Sequence, residues 1–401
     1  MNKLELIKGI ARTSPEKIVL LVIDGLGGLP DARTGKTELE TARIPHLDAL
    51  ATRGICGLSD PIAPGITPGS GPGHLALFGY DPVEYNIGRG VLEAMGIDIE
   101  LGAEDIAARG NFCTIDKDGI ITDRRAGRIS TEKSAGLCKL LERISVEGVD
   151  IKVTPVREHR FVVVFRGADL HAELTESDPS MTGVSPLEIK AEQAKARRTA
   201  NIVKEFITAA KGVLKKHHPA NMILLRGFSR KPQLPSLQEI YKLKPLAITV
   251  YPMYRGLARL VGMAISPKCA TLEDEFKTLK ANYKKFDFFF VHIKWTDTAG
   301  EDGDFGRKVN VLEQIDAALP VLTDLGPDVL VVTGDHSTPA MLGGHSWHPV
   351  PLVICSRYCR TDSVEDFSEK ACLGGGLGRI RATDIMPLAM ANALKLTKFG
   401  A

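Results

Sequence analysis

Three apolar runs in this 401-residue sequence each lead into an acidic residue. Ile18 to Ile23 runs into Asp24-Gly25, Phe288 to Ile293 into Lys294-Trp295-Thr296-Asp297, and Val329 to Val332 into Thr333-Gly334-Asp335-His336. Carboxylates and imidazoles that meet in one crevice form a site for a divalent cation. A serine, Ser70, lies in Pro68-Gly69-Ser70-Gly71-Pro72-Gly73-His74, whose composition predicts a loop. A serine hydroxyl is a weak nucleophile, and a coordinated cation strengthens it by lowering its pKa. Together these residue types are the parts of a metal-activated phosphoryl-transfer site.

The elements that must position them follow from the same runs. Continuous β-branched and aromatic stretches of this length predict strands buried on both faces of a largely parallel sheet. Ligands of open α/β sheets bind beyond the carboxyl ends of the strands, so Asp24, Asp297 and the Asp335-His336 pair are expected to converge. A helix over Ile44 to Arg53 and a helix-like Val91 to Met95 continue the α/β pattern.

From about Asn111 the character changes. Short strands are predicted at Phe112 to Ile115, Ile120-Ile121, Ile151 to Thr154, Arg160 to Arg166 and Met222 to Leu225. Between them lie helical stretches at Ser130 to Arg143 and Leu187 to Lys216. Residues 232–245 are loop-like, and Leu246 to Val250 resumes a buried strand. Since the acidic residues fall on both sides of this middle segment, it is an insertion into a discontinuous core. The expected architecture is α/β, a mostly parallel sheet flanked by helices in residues 1–108 and 243–401, with a smaller α+β domain at 109–242.

Composition bounds the function. A formal charge of +2 favours neither nucleic acid nor a membrane surface as partner, while local arginine clusters leave anionic small molecules open. The seven cysteines are scattered without a Cys-x-x-Cys pair, which points to reduced thiols in the cytoplasm. No run approaches the roughly 20 apolar residues needed to span a bilayer, and the N-terminus lacks a signal-peptide core. Gly35-Lys36-Thr37 imitates the end of a phosphate-binding P-loop, but Pro30 stands where that motif needs glycine. Gly374 to Gly378 lacks the strand and helix of a dinucleotide fingerprint.

Each signal has a plainer reading. An Asp after a buried strand is commonly a helix N-cap or turn former, and a Gly/Pro-rich stretch is commonly a mobile surface loop. His345, in Gly343-Gly344-His345-Ser346-Trp347-His348, has a loop histidine as its lesser reading. Three acidic strand ends, one followed by histidine, are harder to assign to turns alone.

Nine strings in order carry a further signal: Val22-Ile-Asp24-Gly-Leu-Gly27, Gly35 to Ala42, Pro68-Gly-Ser70, Phe78 to Pro82, Gly88-Arg-Gly90, Ile121 to Arg128, Tyr254-Arg-Gly256, Gly334-Asp-His336 and Gly375 to Arg379. Across essentially the whole chain they resemble the archaeal-type branch of cofactor-independent phosphoglycerate mutase, in the alkaline phosphatase superfamily. The resemblance implies Ser70 as the nucleophile that carries a phosphoserine, beside two divalent ions. Manganese is first choice, magnesium or cobalt the alternatives, and no bisphosphoglycerate is required. It implies Asp24, Ser70, Asp335 and His336 around one ion, and Asp297 and His345 around the other.

Planar guanidiniums of Arg124, Arg125 and Arg128 could clamp the phosphate and carboxylate of a small substrate, or be a solvated basic turn. The family places such groups in the inserted domain, where His159 and Arg160 are further candidates. Lys294 either neutralises substrate charge or caps the sheet. One residue departs from the pattern: Glu301 stands where many relatives have a histidine ligand. As a ligand, glutamate shifts preference from zinc toward manganese or magnesium. Otherwise the second site is weak.

The expected activity is interconversion of 3-phosphoglycerate and 2-phosphoglycerate in glycolysis and gluconeogenesis. The rivals are a phosphotransferase or phosphatase on another small phosphorylated metabolite, and a degenerate non-catalytic member.

Overall fold

The computed structural model describes residues 3–85 and 87–400. The chain divides into two compact units, Met1–Asn86 with Leu234–Ala401, and Ile87–Gln233. The division falls at 86/87 and 233/234 rather than at 108/109 and 242/243, because the helix Arg89–Gly96 packs on the strands Ile106–Ile115 and Met222–Ser229 of the second unit.

The first unit is built on an eight-stranded sheet in the order Gly378–Arg381, Ile55–Asp60, Val350–Ser356, Val329–Thr333, Ile18–Ile23, Phe288–Ile293, Pro245–Thr249 and Ala264–Ile265. Val350–Ser356 runs antiparallel to both its neighbours; every other pairing is parallel. The three apolar runs of the sequence are adjacent central strands, with Ile18–Ile23 between the other two. Every residue of the three is buried, as continuous apolar runs require when helices cover both faces of a sheet.

Alternation along these strands divides their side chains between two layers. Leu21, Ile23, Phe289, Val291 and Val332 join Leu312, Ile315 and Phe276 in one core. On the opposite face Phe290 meets Phe78 edge-on at 4.9 Å, with the helix Ser70–Leu77 laid over it. Each fully buried phenylalanine contributes about 1.5–3 kcal/mol, so this strand alone anchors the sheet firmly.

The second unit is an antiparallel sheet in which the ten-residue strand Ile106–Ile115 is central. One of its edges pairs Arg160–Arg166 and then Ile121–Asp123, its other edge pairs Met222–Ser229, and Asp150–Arg157 flanks Arg160–Arg166. The helices Thr131–Leu141, capped by Ser130, and Arg197–Leu214 close its core.

Several expectations change here. Ser70 opens a helix instead of lying in a loop, and Gly69 is its N-cap. Residues 187–193 are not helical: Leu187 donates to Ser177, Thr175 to Lys190, and Leu174 bridges Ala191. The loop-like 232–245 contains a short helix, Leu237–Tyr241, with a Ser236/Glu239 capping box. Thr37 of the P-loop look-alike is likewise an N-cap, boxed with Glu40. Residues 374–377, as expected, form a turn without the preceding strand and following helix of a dinucleotide fingerprint.

Candidate active site and metal centre

The carboxyl ends of the three central strands lie side by side, and their acids meet there. Asp24 directly follows its strand, Asp335 and His336 follow theirs by two and three residues, and Asp297 sits in the first turn of the helix Trp295–Glu301. Asp24, Asp297, Asp335 and His336 are all fully buried. Gly25 takes a left-handed φ of +66° to turn the chain, and a Cβ there would strike Asp297 Cα at 2.9 Å.

His336 Nε2 is the hub. It stands 3.1 Å from Asp335 Oδ2, 3.4 Å from Asp24 Oδ1 and 3.2 Å from Ser70 Oγ. The helix N-terminus brings Ser70 there, half-buried, because Gly73 lets the helix lie against the Asp335 backbone: a Cβ on Gly73 would be 2.4 Å from Asp335 O. That glycine therefore serves packing between elements. His345 Nε2 is 3.6 Å from Asp297 Oδ1, its ring stacked on His336 at 3.6 Å, and its Nδ1 is 2.9 Å from Pro68 O.

Two sets of donors have the spacing of a cation site: Asp24, Asp335 and His336, and Asp297, His336 and His345. His336 belongs to both, where the resemblance gave it to one ion only. The fit to cations rests on unsatisfied atoms. Asp24 Oδ1 and Asp335 Oδ2 are buried, and no hydrogen bond of acceptable angle reaches either. Leaving buried carboxylate oxygens so exposed to one another is costly unless a cation joins them.

The protein's own charges partly offset that cost. Lys294 Nζ is 3.1 Å from Asp24 Oδ2 and in closer contact with Asp297 Oδ2. Burial disfavours its ammonium, but Asp24 and Asp297 hold it protonated well above the usual lysine range. Burial and Asp335 push Asp24 up, yet Lys294 and His292 prevail and bring it to about 2. Burial also opposes a charged His336, and the carboxylates of Asp335, Asp24 and Asp297 overcome it to lift the imidazole to about 9. Lys294 is thus bound into the acidic cluster instead of capping the sheet.

Glu301 ends the same helix as Asp297, and its Oε1 lies 3.8 Å from His345 Nε2, with the side chain 54% exposed. It borders the second set of donors without the burial of the others.

Behind the cluster stand residues that sequence reasoning did not assign. Tyr254 donates to Asp24 Oδ2 at 2.5 Å, His292 Nε2 is 3.1 Å from the same oxygen, and His74 Nδ1 is 3.1 Å from Asp335 Oδ2. All three rings are buried and packed together, Tyr254 and His292 at 3.8 Å. The signals were there to use. His74 is four residues after Ser70, hence on its helical face, and His292 interrupts a run of aromatic and aliphatic residues.

The remaining candidates belong to the second unit. Arg124 is bound by Asp178 through two contacts, 3.0 and 2.8 Å, so its guanidinium is already engaged. Arg125 and Arg128 are exposed on a turn where Ala126, Gly127 and Arg128 all have positive φ, held by Asp123, which accepts from Arg125 N and Gly127 N. Such strain persists where surrounding structure enforces it, commonly at binding sites. His159 is buried, and burial followed by Arg160, Arg125, Arg109 and Arg128 pulls it down to about 4.

Arg109 and Arg226 were missed. Arg109 is 7% exposed, with Nη1 3.2 Å from Glu93 and Nε without a partner. Burial drives it down to about 10 against the pull of Glu93, with Arg160, Arg226 and Arg89 adding to the effect. Arginines around a buried guanidinium repel it, and an anion would relieve that repulsion. An arginine between Ala108 and Gly110 in a strand was the readable sign.

Comparison with known proteins decides the family. A family model described as 2,3-bisphosphoglycerate-independent phosphoglycerate mutase matches residues 51–221. The probable 2,3-bisphosphoglycerate-independent phosphoglycerate mutases of Thermosipho africanus and Thermotoga maritima are 49% and 50% identical, over 100% of both chains in each case. The chain belongs to the 2,3-bisphosphoglycerate-independent phosphoglycerate mutase family.

Membership makes the enzyme an isomerase of the cofactor-independent type. Among solved structures, a cofactor-independent phosphoglycerate mutase from Thermoplasma acidophilum matches with a TM-score of 0.70 at 30% identity, over 94% of this chain and 100% of its own. The PH0037 protein from Pyrococcus horikoshii matches with a TM-score of 0.84 at 31% identity, over 98% and 100%. Among the described residues, no helix is long and apolar enough to cross a membrane.

Proposed function

We propose that Ser70 takes the phosphoryl group as a phosphoserine while 3-phosphoglycerate and 2-phosphoglycerate interconvert. A bond forms between Ser70 Oγ and phosphorus as the bond from phosphorus to one glycerate oxygen breaks. The glycerate reorients, its other hydroxyl attacks the phosphorus, and Ser70 Oγ leaves. Net water is neither consumed nor released, so the bound glycerate must be retained between the two transfers.

The observation that carries this reading is Ser70 Oγ at 3.2 Å from His336 Nε2, on the first residue of a helix and beside two carboxylate oxygens, Asp24 Oδ1 and Asp335 Oδ2, left without a hydrogen bond. Free N–H groups and the positive end of the dipole favour a phosphate at a helix start. Asp24, Ser70, Asp335 and His336 would hold one divalent ion; Asp297, His345 and Glu301, with His336 between the sets, would hold the other. When bound, such ions lower the pKa of the serine and neutralise phosphoryl oxygens. The oxygen-rich donor sets favour manganese, with magnesium or cobalt next.

Lys294 can exchange a carboxylate contact for a substrate oxygen, since its side chain keeps some exposure. Arg125, Arg128, Arg160 and His159, joined by Arg109 and Arg226, would bind the substrate's carboxylate and phosphate, with Arg124 holding Asp178 in place. Seven free cysteines accord with a cytoplasmic enzyme of glycolysis and gluconeogenesis.

The test is an enolase-coupled assay together with mass spectrometry of protein quenched during turnover. Phosphate should appear on Ser70, and Ser70→Ala should abolish mutase activity with the fold intact. Activity above a few per cent of wild type in Ser70→Ala, or phosphate release without 2-phosphoglycerate, would overturn it.

A further inference from the structure

We propose that Thr338 is a positioning residue that fixes which nitrogen His336 offers to the metal centre and ties the two sets of ligands together. This rests on the reading of Asp24, Asp335 and His336 as cation ligands.

Every polar atom of Thr338 is engaged. Its N–H donates to Gly27 O at 3.0 Å, and its carbonyl accepts from the fully buried Lys308 Nζ at 2.9 Å. Its hydroxyl donates to Asp297 Oδ1 at 2.7 Å and stands 2.9 Å from His336 Nδ1. A hydroxyl has one proton, and the Asp297 carboxylate accepts it. Oγ1 therefore turns a lone pair toward His336, and Nδ1 must carry the hydrogen. The nitrogen left for a cation is Nε2, the one that faces Asp335 Oδ2, Asp24 Oδ1 and Ser70 Oγ.

The surroundings hold Thr338 closely. Lys308 also donates to Gly27 O at 3.0 Å, so one ammonium clamps the turn after Asp24 to the segment after His336. A Cβ on Gly25 would lie 2.6 Å from Thr338 Oγ1, and one on Gly300 would lie 2.3 Å from Thr338 O. The hydroxyl also links Asp297 of one donor set to His336, which both sets share. Once a cation displaces one proton of the imidazolium, loss of the hydroxyl leaves nothing there to keep the remaining hydrogen on Nδ1, and it releases Asp297 from His336.

The experiment uses the full-length protein stripped with chelator and titrated with Mn2+ alone by calorimetry, in wild type, Thr338→Val and Thr338→Ser. Partners that orient metal ligands commonly contribute about 10–100-fold to affinity. Thr338→Val should therefore bind Mn2+ about 10–100-fold more weakly, and Thr338→Ser, which keeps the hydroxyl, should stay near wild type. A residue that only supports the fold would lower the melting temperature of the chelated protein and leave Mn2+ affinity unmoved. Should the valine protein fail to fold, Thr338→Ala, which only deletes atoms, must show the same weakening. Wild-type affinity and stoichiometry in a folded Thr338→Val or Thr338→Ala protein would overturn the proposal. Absence of Mn2+ binding by wild type would instead overturn the metal reading beneath it.

Discussion

Tyr254→Phe removes one oxygen from the floor of the acidic cluster and little else. The phenol donates to Asp24 Oδ2 at 2.5 Å, with both groups fully buried. The phenylalanine ring would keep its packing against His292 at 3.8 Å and His74 at 4.5 Å. Besides a 3.5 Å contact from Lys294 Nζ, the change removes a hydrogen bond to a charged acceptor, whose net contribution is about 1.5–3 kcal/mol. The upper half of that range is expected, because Asp24 already bears the cost of burial and of Asp335 beside it.

Urea unfolding of chelated protein measures it. Both tryptophans, Trp295 and Trp347, lie in the first unit, so their fluorescence follows the unit that holds Tyr254. Asp24 falls from 3.8 to about 2 on folding, so the stability its charged form contributes is present in full above about 3.8 and lost as pH falls toward 2. The wild-type lead over Tyr254→Phe should accordingly be full at neutral pH and shrink in acid below the unfolded value. A lead under about 0.5 kcal/mol at pH 7, the usual scatter of neutral substitutions, would refute the reasoning. So would a lead that does not change on acidification.

Arg125→Lys keeps the charge of an exposed guanidinium on a strained turn but loses its planar two-point contact, so KM for phosphoglycerate should rise with stability unchanged; an unaltered KM returns the turn to the solvent. Glu301→Gln should weaken metal binding, and Glu301→His should move preference toward zinc, in chelated protein titrated with manganese, cobalt and zinc while mutase activity is followed. Equal preference and equal half-saturation in all three proteins would show that Glu301 is not a ligand.

The three central strands were legible because each is buried on both faces and so leaves an uninterrupted apolar run. Their acids could be placed together because parallel neighbours end on one side. What local composition could not show was packing. Ser70 lies in a stretch with turn chemistry, yet Gly71, Pro72 and Gly73 enter a helix because that helix fits against Asp335. Residues 187–193 carry helix formers but are drawn into extended pairing by Ser177, Thr175 and Leu174, tertiary contacts overriding propensity. The strand Ile106–Ile115 was read only from Phe112 onward, since Arg109, Gly110 and Asn111 break the apolar run, and Arg109 was lost with it. That His336 belongs to both donor sets depends on distances between three strand ends that no spacing along the chain records.

The interrupted core sheet has a consequence for the order in which the chain can fold. Ile18–Ile23 is an early strand, but its partners on both sides, Phe288–Ile293 and Val329–Thr333, come near the end of synthesis. Residues 87–233 are continuous and hold their own core, so they can fold while the first strand still waits. Their two ends are neighbours within that unit: a Cβ on Gly88 would touch Ser229 Oγ at 2.4 Å. Once folded, the insertion shortens the effective loop between the early strand and its partners, at about 0.6 kcal/mol for each halving of length. The gain is small in stability and larger in time, because both long-range strand pairings must form before Asp24, Asp297 and Asp335 can meet.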